Sequence, residues 1–406
     1  MRRRGLAAVA CWIVAATAPA GASVEFDERE TAMILRHGPW PPPAMRDPSN
    51  RVSGNAQAIA LGRALFFEPG LSRTGTISCA HCHAADRSWT DGRARAAGIG
   101  ELERNSPSLW NMRLNRWYGW DGGSDSLWSF IVRPILHPRE MGADAKHVAA
   151  TLRADPLLAC LYQRAYGHGP REARGGGTAA HERVLVNAAK AIAAFVETLV
   201  SGRTPFDEFR DAVARGDAAA AARYPEDARR GLKIFVGRGN CSTCHFGPGF
   251  SNGEFHDIGV PFFVKGGADA GRHGGIQRLR ADRFNLRGRY SDDRSGEAAT
   301  KTRHLDQQHR NFGEFKTPSL RNVELSPPYM HNGRFATLQD VVLHYSGIDP
   351  DRLHSDGEAL LRPLGLASDG VDDLVAFLRS LTDPMAHSAA TASSAVSSRC
   401  AAPTSR

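Results

Sequence analysis

The pentapeptide Cys-x-x-Cys-His occurs twice in this chain, as Cys79-Ala80-His81-Cys82-His83 and as Cys241-Ser242-Thr243-Cys244-His245. Two thiols one helical turn apart can add across the two vinyl groups of a single porphyrin. The adjoining histidine then reaches the iron as its proximal ligand. The repeated string predicts two covalently bound haem c groups, one on Cys79, Cys82 and His83, the other on Cys241, Cys244 and His245. A zinc ribbon is the competing use of paired cysteines, but both pairs carry the histidine and they lie far beyond ribbon spacing. Neither pair follows the βαβ pattern of a thioredoxin-like redox site.

The N-terminus agrees with that chemistry. Arg2, Arg3 and Arg4 precede an apolar stretch from Leu6 to Thr17, and Ala18-Pro19-Ala20 or Ala20-Gly21-Ala22 offers a small-residue cleavage site. The stretch is too short to span a bilayer. Residues 1–22 are read as a cleaved signal peptide, and because haem c is attached after export, the expected compartment is the bacterial periplasm. No other apolar run approaches membrane length. The formal charge of +8 falls to about +5 without the three leader arginines, and four haem propionates would offset most of that, so nucleic acid is not an expected partner. Cys160 sits in the apolar run Leu157-Leu158-Ala159-Cys160-Leu161 and is expected to be a buried, inert thiol. Cys400 lies in an Ala-, Ser- and Thr-rich tail, 386–406, expected to be disordered.

Between leader and tail the reading is mostly α, as two cytochrome c-like domains. A Pro-rich strap, 23–54, is followed by a first domain over 55–210 and a second over 211–385. Helical spacing of Ala58, Leu61 and Leu65 introduces the first haem motif, and that of Ala228, Leu232 and Phe235 introduces the second. The phrases Leu61-Gly62-Arg63-Ala64-Leu65-Phe66 and Arg230-Gly231-Leu232-Lys233-Ile234-Phe235 look like one module used twice. A long helix carrying Leu185, Ala188, Ile192, Phe195 and Leu199 closes the first half, and a last helix carries Val371, Leu374, Val375, Leu378 and Leu381. The Gly- and charge-rich stretch 266–311 shows no periodicity and is expected to be a long loop over the second domain.

Five phrases then become informative: Arg104-Asn105-Ser106-Pro107-Ser108-Leu109, Trp120-Asp121-Gly122, Pro138-Arg139-Glu140-Met141-Gly142, Lys316-Thr317-Pro318-Ser319-Leu320-Arg321-Asn322 and Pro328-Tyr329-Met330-His331-Asn332-Gly333. In order and spacing they resemble the bacterial di-haem cytochrome c peroxidase and MauG family, over roughly residues 55 to 383. The resemblance implies that the N-terminal haem, with proximal His83, meets peroxide, while the C-terminal haem, with proximal His245, stores or relays electrons. The peroxidases gate the first iron with a distal histidine, yet Ala84 to Glu103 contains none, which implies an open sixth position.

The same resemblance assigns Glu140 as the distal acid that moves a proton between the peroxide oxygens, in a pocket shared with Pro134. A glutamine common in that pocket is replaced by Phe130, which implies a drier site. Trp120 matches the tryptophan between the haems. Where the peroxidases place a methionine ligand to the second iron, this chain has Tyr345, as in MauG. Independently, Thr337 and Asp340 form a capping-box-like helix start, and Leu338, Val341, Val342 and Tyr345 share one helical face. Met330 and His344 are the alternative ligands. Phenolate favours oxidised iron where thioether favours reduced. The family also implies one calcium ion, held by the Asn105 side chain and the Ser326 and Pro328 carbonyls.

The functional expectation is a MauG-like oxidase that uses hydrogen peroxide to form a high-valent haem state and oxidises a protein or other electron donor. The alternative is a peroxidase that reduces peroxide to water with electrons from a small cytochrome c or cupredoxin. A non-enzymatic electron-transfer cytochrome is the third reading. All seven tryptophans precede residue 130, so any oxidising path out of the second half must use Tyr or Phe.

Overall fold

The computed structural model describes residues 24–170, 177–261, 263–264, 267–353, 360–386 and Cys400. The leader and most of the tail lie outside the described residues. The strap is not purely extended: it opens with α1 (Glu28–Leu35), started by an Asp27 and Glu30 capping box. The helices that follow are α2 (Ala56–Phe66), α3 (Cys79–Cys82), α4 (Leu127–Leu136), α5 (Ala145–Ala154), α6 (Pro156–Tyr166) and α7 (Thr178–Val196). The second half supplies α8 (Pro205–Ala214), α9 (Ala218–Ala221), α10 (Glu226–Val236), α11 (Gly271–Ala281), α12 (Thr300–Arg303), α13 (Leu338–Ser346) and α14 (Ser368–Arg379). Strands are confined to β1 (Phe255–His256), paired antiparallel with β4 (Phe315–Lys316), and β2 (Phe263–Val264), paired with β3 (Gly267–Ala268). The mostly α expectation holds.

Two apolar cores organise these helices. The first gathers Leu61 and Leu65 of α2, Trp128 of α4, Leu152 of α5, Leu161 of α6 and most of α7. The second gathers Ile34 of α1, Phe206 and Phe209 of α8, Phe235 of α10, Val342 of α13 and Phe377 of α14. Phe206 and Phe209 precede residue 210, so α8 packs with the second half of the chain. The long helix ends at Val196, and Leu199 is buried just beyond it.

The two introductory helices do the same job. Gly62 of α2 lies on the Ala191 carbonyl of α7, and Gly231 of α10 lies on the Asp373 carbonyl of α14; a Cβ at either would run into that oxygen. The duplication extends further than those helices. Asn111 and Asn322 both adopt positive φ after Pro-Ser-Leu-x phrases and cap short 3₁₀ turns. Single bridges join Tyr118 to Ser124 and Tyr329 to Phe335. Ser126 then caps α4 as Thr337 caps α13.

The stretch 266–311 departs from expectation. It contains α11 and α12, and much of it packs on the first half of the chain. Phe284, Leu286, Tyr290 and Ala299 join the first core. Its charges are paired rather than solvated: Lys190 of α7 holds Asp292 at 2.6 Å, and Asp269 takes the Arg104 guanidinium at 2.6 Å. Gly275 abuts the Asp121 carbonyl with no room for a Cβ. Aperiodic sequence here reflects contacts made residue by residue with a distant partner.

Asp121 is the centre of that junction. Its side chain is 0 % exposed, meets Arg104 at 2.5 Å and Arg133 at 3.8 Å, and also bonds Arg278 of α11. The three guanidinium groups hold its pKa far below the ordinary carboxylate value despite burial.

A second correction concerns the cysteines outside the haem motifs. Cys160 on α6 is joined to Cys400 by a disulfide, with the Cα atoms 5.9 Å apart. Neither is an inert thiol, and this point of the tail is tied to the first core. Sequence spacing does not reveal a pairing across 240 positions.

Replacing Gly62 or Gly231 by Ala should force apart a close helix pair and destabilise the protein by about 1–3 kcal/mol, read as a lower denaturation midpoint. Asp121→Ala should cost about 3–5 kcal/mol, because it strands buried guanidinium charge; denaturant unfolding measures it.

Candidate haem centres

Each Cys-x-x-Cys-His string folds as a single helical turn, α3 in the first half and a 3₁₀ turn, Cys241–Thr243, in the second. None of the four cysteines takes part in a disulfide. Burial pushes Cys79, Cys82 and Cys241 up to about 12. The histidines behave alike. His83 Nδ1 lies 3.0 Å from the Trp89 carbonyl and His245 Nδ1 lies 3.1 Å from the Phe250 carbonyl. A carbonyl only accepts, so Nδ1 carries the proton and Nε2 keeps the lone pair a metal needs. Burial lowers both imidazole pKa values, that of His245 to about 4, so both stay neutral. Trp89 and Phe250 hold these carbonyls from the left-handed region, at φ 60° and 52°. The residue set on each side suits a haem with a histidine ligand.

The second centre is a cavity of about 1350 Å³, lined by Cys241, Cys244, His245, Met330, His331 and Tyr345 among others. That exceeds an ordinary small-molecule pocket and leaves room for a macrocycle. Tyr345 is partly buried, and burial raises its pKa, with Cys241 and Cys244 adding to the rise. His344 turns elsewhere, its Nε2 2.7 Å from the Ile258 carbonyl, and lines a separate groove. Of the three candidate ligands, Tyr345 and Met330 line the cavity with His245, and His344 does not.

The duplicated framework gives Tyr345 a counterpart. Counting from Leu127 of α4 and Leu338 of α13, the residue matching Tyr345 is Pro134. Where the second half carries a phenol, the first carries a ring with no donor atom.

Glu140 follows α4. Its carbonyl accepts the Ile99 N–H at 2.9 Å, and Gly98 lies so close that a Cβ there would strike the Glu140 backbone. The loop carrying these residues also touches the first motif, with Cys82 Sγ 3.8 Å from the Ala97 carbonyl. The Glu140 side chain is 31 % exposed and 3.5 Å from His137 Nδ1. Burial raises its pKa, and Arg133 and Arg139 oppose the rise. Phe130 is partly buried and stacks on Tyr118 at 6.3 Å.

Trp120 also lines this cavity; it donates from Nε1 to the Asn105 carbonyl at 2.9 Å, and the Asn105 N–H donates to the His331 carbonyl at 2.7 Å. Trp120 thus connects by two hydrogen bonds to a residue of the second cavity. Asn105 Nδ2 lies 2.7 Å from the Arg93 carbonyl and 3.4 Å from that of Pro328, and Ser326 borders the same cavity. Among the described residues no cluster of three or more His, Cys, Asp or Glu side chains is arranged for a metal. A calcium ion here would rest on amide and carbonyl oxygens.

Two residues of the informative phrases had no role assigned from sequence. His331 stacks on Phe315 at 3.5 Å beside the Arg104 and Asp269 pair, and Lys316 of β4 donates its backbone N–H to the Trp120 carbonyl at 2.8 Å. His331 takes the place of Trp120 in the duplicated framework.

Residues 56–215 match the family model described as di-haem cytochrome c peroxidase. The chain is 35 % identical to the methylamine utilization protein MauG of Methylorubrum extorquens, over 80 % of this chain and 78 % of that one. It is 31 % identical to the cytochrome-c peroxidase IdrP2 of Denitromonas iodatirespirans, over 81 % and 83 %. A crystal structure of a MauG-like protein associated with microbial copper homeostasis superposes with a TM-score of 0.63 at 25 % identity, covering 86 % of this chain and 97 % of that one. The diheme peroxidase BthA from Burkholderia thailandensis shares the fold, with a TM-score of 0.63 at 23 % identity over 84 % and 90 %. No described helix is long and apolar enough to cross a membrane. The chain therefore belongs to the di-haem cytochrome c peroxidase/MauG family of enzymes, and with that membership come two haem groups.

Proposed function

We propose that the chain is a periplasmic di-haem c oxidoreductase that uses hydrogen peroxide to oxidise a protein or other electron-donating substrate, in the manner of MauG. The observation that carries this reading is the contrast between Pro134 and Tyr345 at matching positions of α4 and α13. Pro134 offers no ligand atom and leaves peroxide a place to bind. Tyr345 lines the cavity with the second motif and carries an oxygen of the kind that favours the oxidised metal. The relatives include proteins called MauG and proteins called cytochrome-c peroxidase, so the choice between the two rests on this chain's own residues.

The haem groups, held covalently on Cys79 with Cys82 and on Cys241 with Cys244, with His83 and His245 as ligands, supply peroxide activation and electron storage. The chain's residues do the rest. Glu140 takes a proton from the near peroxide oxygen and returns it to the leaving one. Phe130 limits water beside it. Trp120, fixed through its indole N–H, spans the gap toward the second cavity. Calcium is proposed at Asn105, Ser326 and Pro328; a half-turn of the Asn105 amide would present its oxygen beside the Pro328 carbonyl.

Met330 lines the same cavity as Tyr345, and with a thioether ligand the second haem would hold an electron readily. That is the one observation favouring the peroxidase reading, with a small cytochrome c or cupredoxin as donor.

One equivalent of hydrogen peroxide added to the fully ferric protein should change the Soret and near-infrared bands at once, and Tyr345→Met should abolish the near-infrared response. If nothing changes until one haem is reduced, the peroxidase reading holds instead. Glu140→Gln should slow the reaction with peroxide by about 10²-fold or more. The Glu140 pKa is raised, so its carboxylate form is lost as pH falls through a value above the usual carboxylate range. The stopped-flow rate should fall over that window in the wild type and stay flat in Glu140→Gln.

A further inference from the structure

The turn that follows His245 is held one carbonyl at a time. Gly247 O lies 3.3 Å from His37 Nδ1, Pro248 O accepts Arg321 Nε–H at 2.5 Å, and Gly249 O accepts the Ser319 hydroxyl at 2.7 Å. Phe250 O takes His245 itself. In the first half the corresponding turn keeps two of these bonds, Ser108 to Ser88 O and His83 to Trp89 O. His37 has no counterpart there. It comes from the strap, just after α1.

His37 is fully buried, and its ring lies flat on Phe250, with centroids 4.3 Å apart and planes 11° apart. Phe206 and Phe235 meet it edge-on. Because the Gly247 carbonyl only accepts, Nδ1 donates, and Nε2 is left buried with no protein partner. An apolar ring would fill this space without stranding a nitrogen. Burial holds the His37 pKa near 4, so the ring is neutral across the ordinary pH range. Behind it, Arg321 stacks on Trp40 of the strap at 3.5 Å and is paired in bidentate fashion with the buried Asp207 at 2.8 and 2.9 Å. The strap thus backs the turn with a polar ring where packing alone asks for an apolar one.

We propose that His37 is a positioning residue for the second haem: through its N–H to Gly247 and its stack on Phe250, it fixes the Phe250 carbonyl that orients His245. This rests on His245 being the haem ligand. A firm Nδ1–H···O=C bond makes an imidazole ligand more basic and favours ferric iron. Loosening the turn weakens that bond and raises the reduction potential of this haem alone. The strap therefore sets the potential of the second centre, and the first has no such device.

The test is a spectroelectrochemical titration of the purified di-haem protein, resolving the two haems, with haem content measured alongside. His37→Phe keeps the flat ring on Phe250 and removes the donor. The second-haem potential should rise, its ferrous Fe–His Raman band should move to lower frequency, and the first haem should be unchanged. His37→Asn keeps an N–H donor and should stay closer to wild type. Both haems present with an unshifted second potential in His37→Phe would overturn the proposal and leave the ligand assignment intact. Equal shifts in the two variants would overturn it as well, since the potential would then not follow the presence of the N–H donor. If His37→Phe fails to incorporate its second haem, His37→Asn decides alone: a potential near wild type supports the proposal, a clear shift overturns it. A His245→Ala protein whose second haem keeps unchanged ligation would instead remove the underlying assignment.

Discussion

A carboxylate cut off from water stays charged only when cations surround it, and Asp121 is in that position. Arg104 reaches it from the phrase that also carries Asn105, Arg133 from α4 beside Pro134, and Arg278 from α11 in the other half of the chain. Trp120 is its neighbour in sequence. Residues proposed to act at the two haem centres are therefore moored to one buried charge. Arg104 also engages Asp269 and lies over Phe315, whose ring stacks on His331. The junction is polar and directional, which suits a gap whose width must not drift.

Around that junction one framework is used twice with different fittings. A glycine helix, a haem turn, a Pro-Ser-Leu phrase with a left-handed Asn, a bridged loop and a capped helix recur in the same order. The proximal histidines differ little between the copies. The copies differ at matching positions of α4 and α13, Pro134 against Tyr345, and behind the turn after the motif, where His37 of the strap meets the second copy. One scaffold thus surrounds its two centres with different side chains.

The haem motifs, the helices before them and the final helix were legible because each is a local pattern with a physical period or a fixed spacing. The start of α13 was legible through Thr337 and Asp340. What escaped was held by partners distant in the chain. Asp292 looks solvated until Lys190 of α7 is brought to it, and the 266–311 stretch looks like a free loop until Leu286 and Tyr290 are placed in the first core. His37, in a Pro-rich strap, gives no hint that it lies against Phe250. The Cys160–Cys400 bond had no signature because both residues sit in sequence contexts that suit solitary thiols.

That bond has a consequence for biogenesis. Its two cysteines stand 240 positions apart, and Cys241 and Cys244 lie between them in the chain. Cys160 cannot meet its partner until that whole stretch has been made, and meanwhile the thiols of both Cys-x-x-Cys pairs compete for it. Haem attachment as proposed would withdraw those four thiols from exchange. A bridge between such distant cysteines thus favours an order of maturation with haem first and disulfide last.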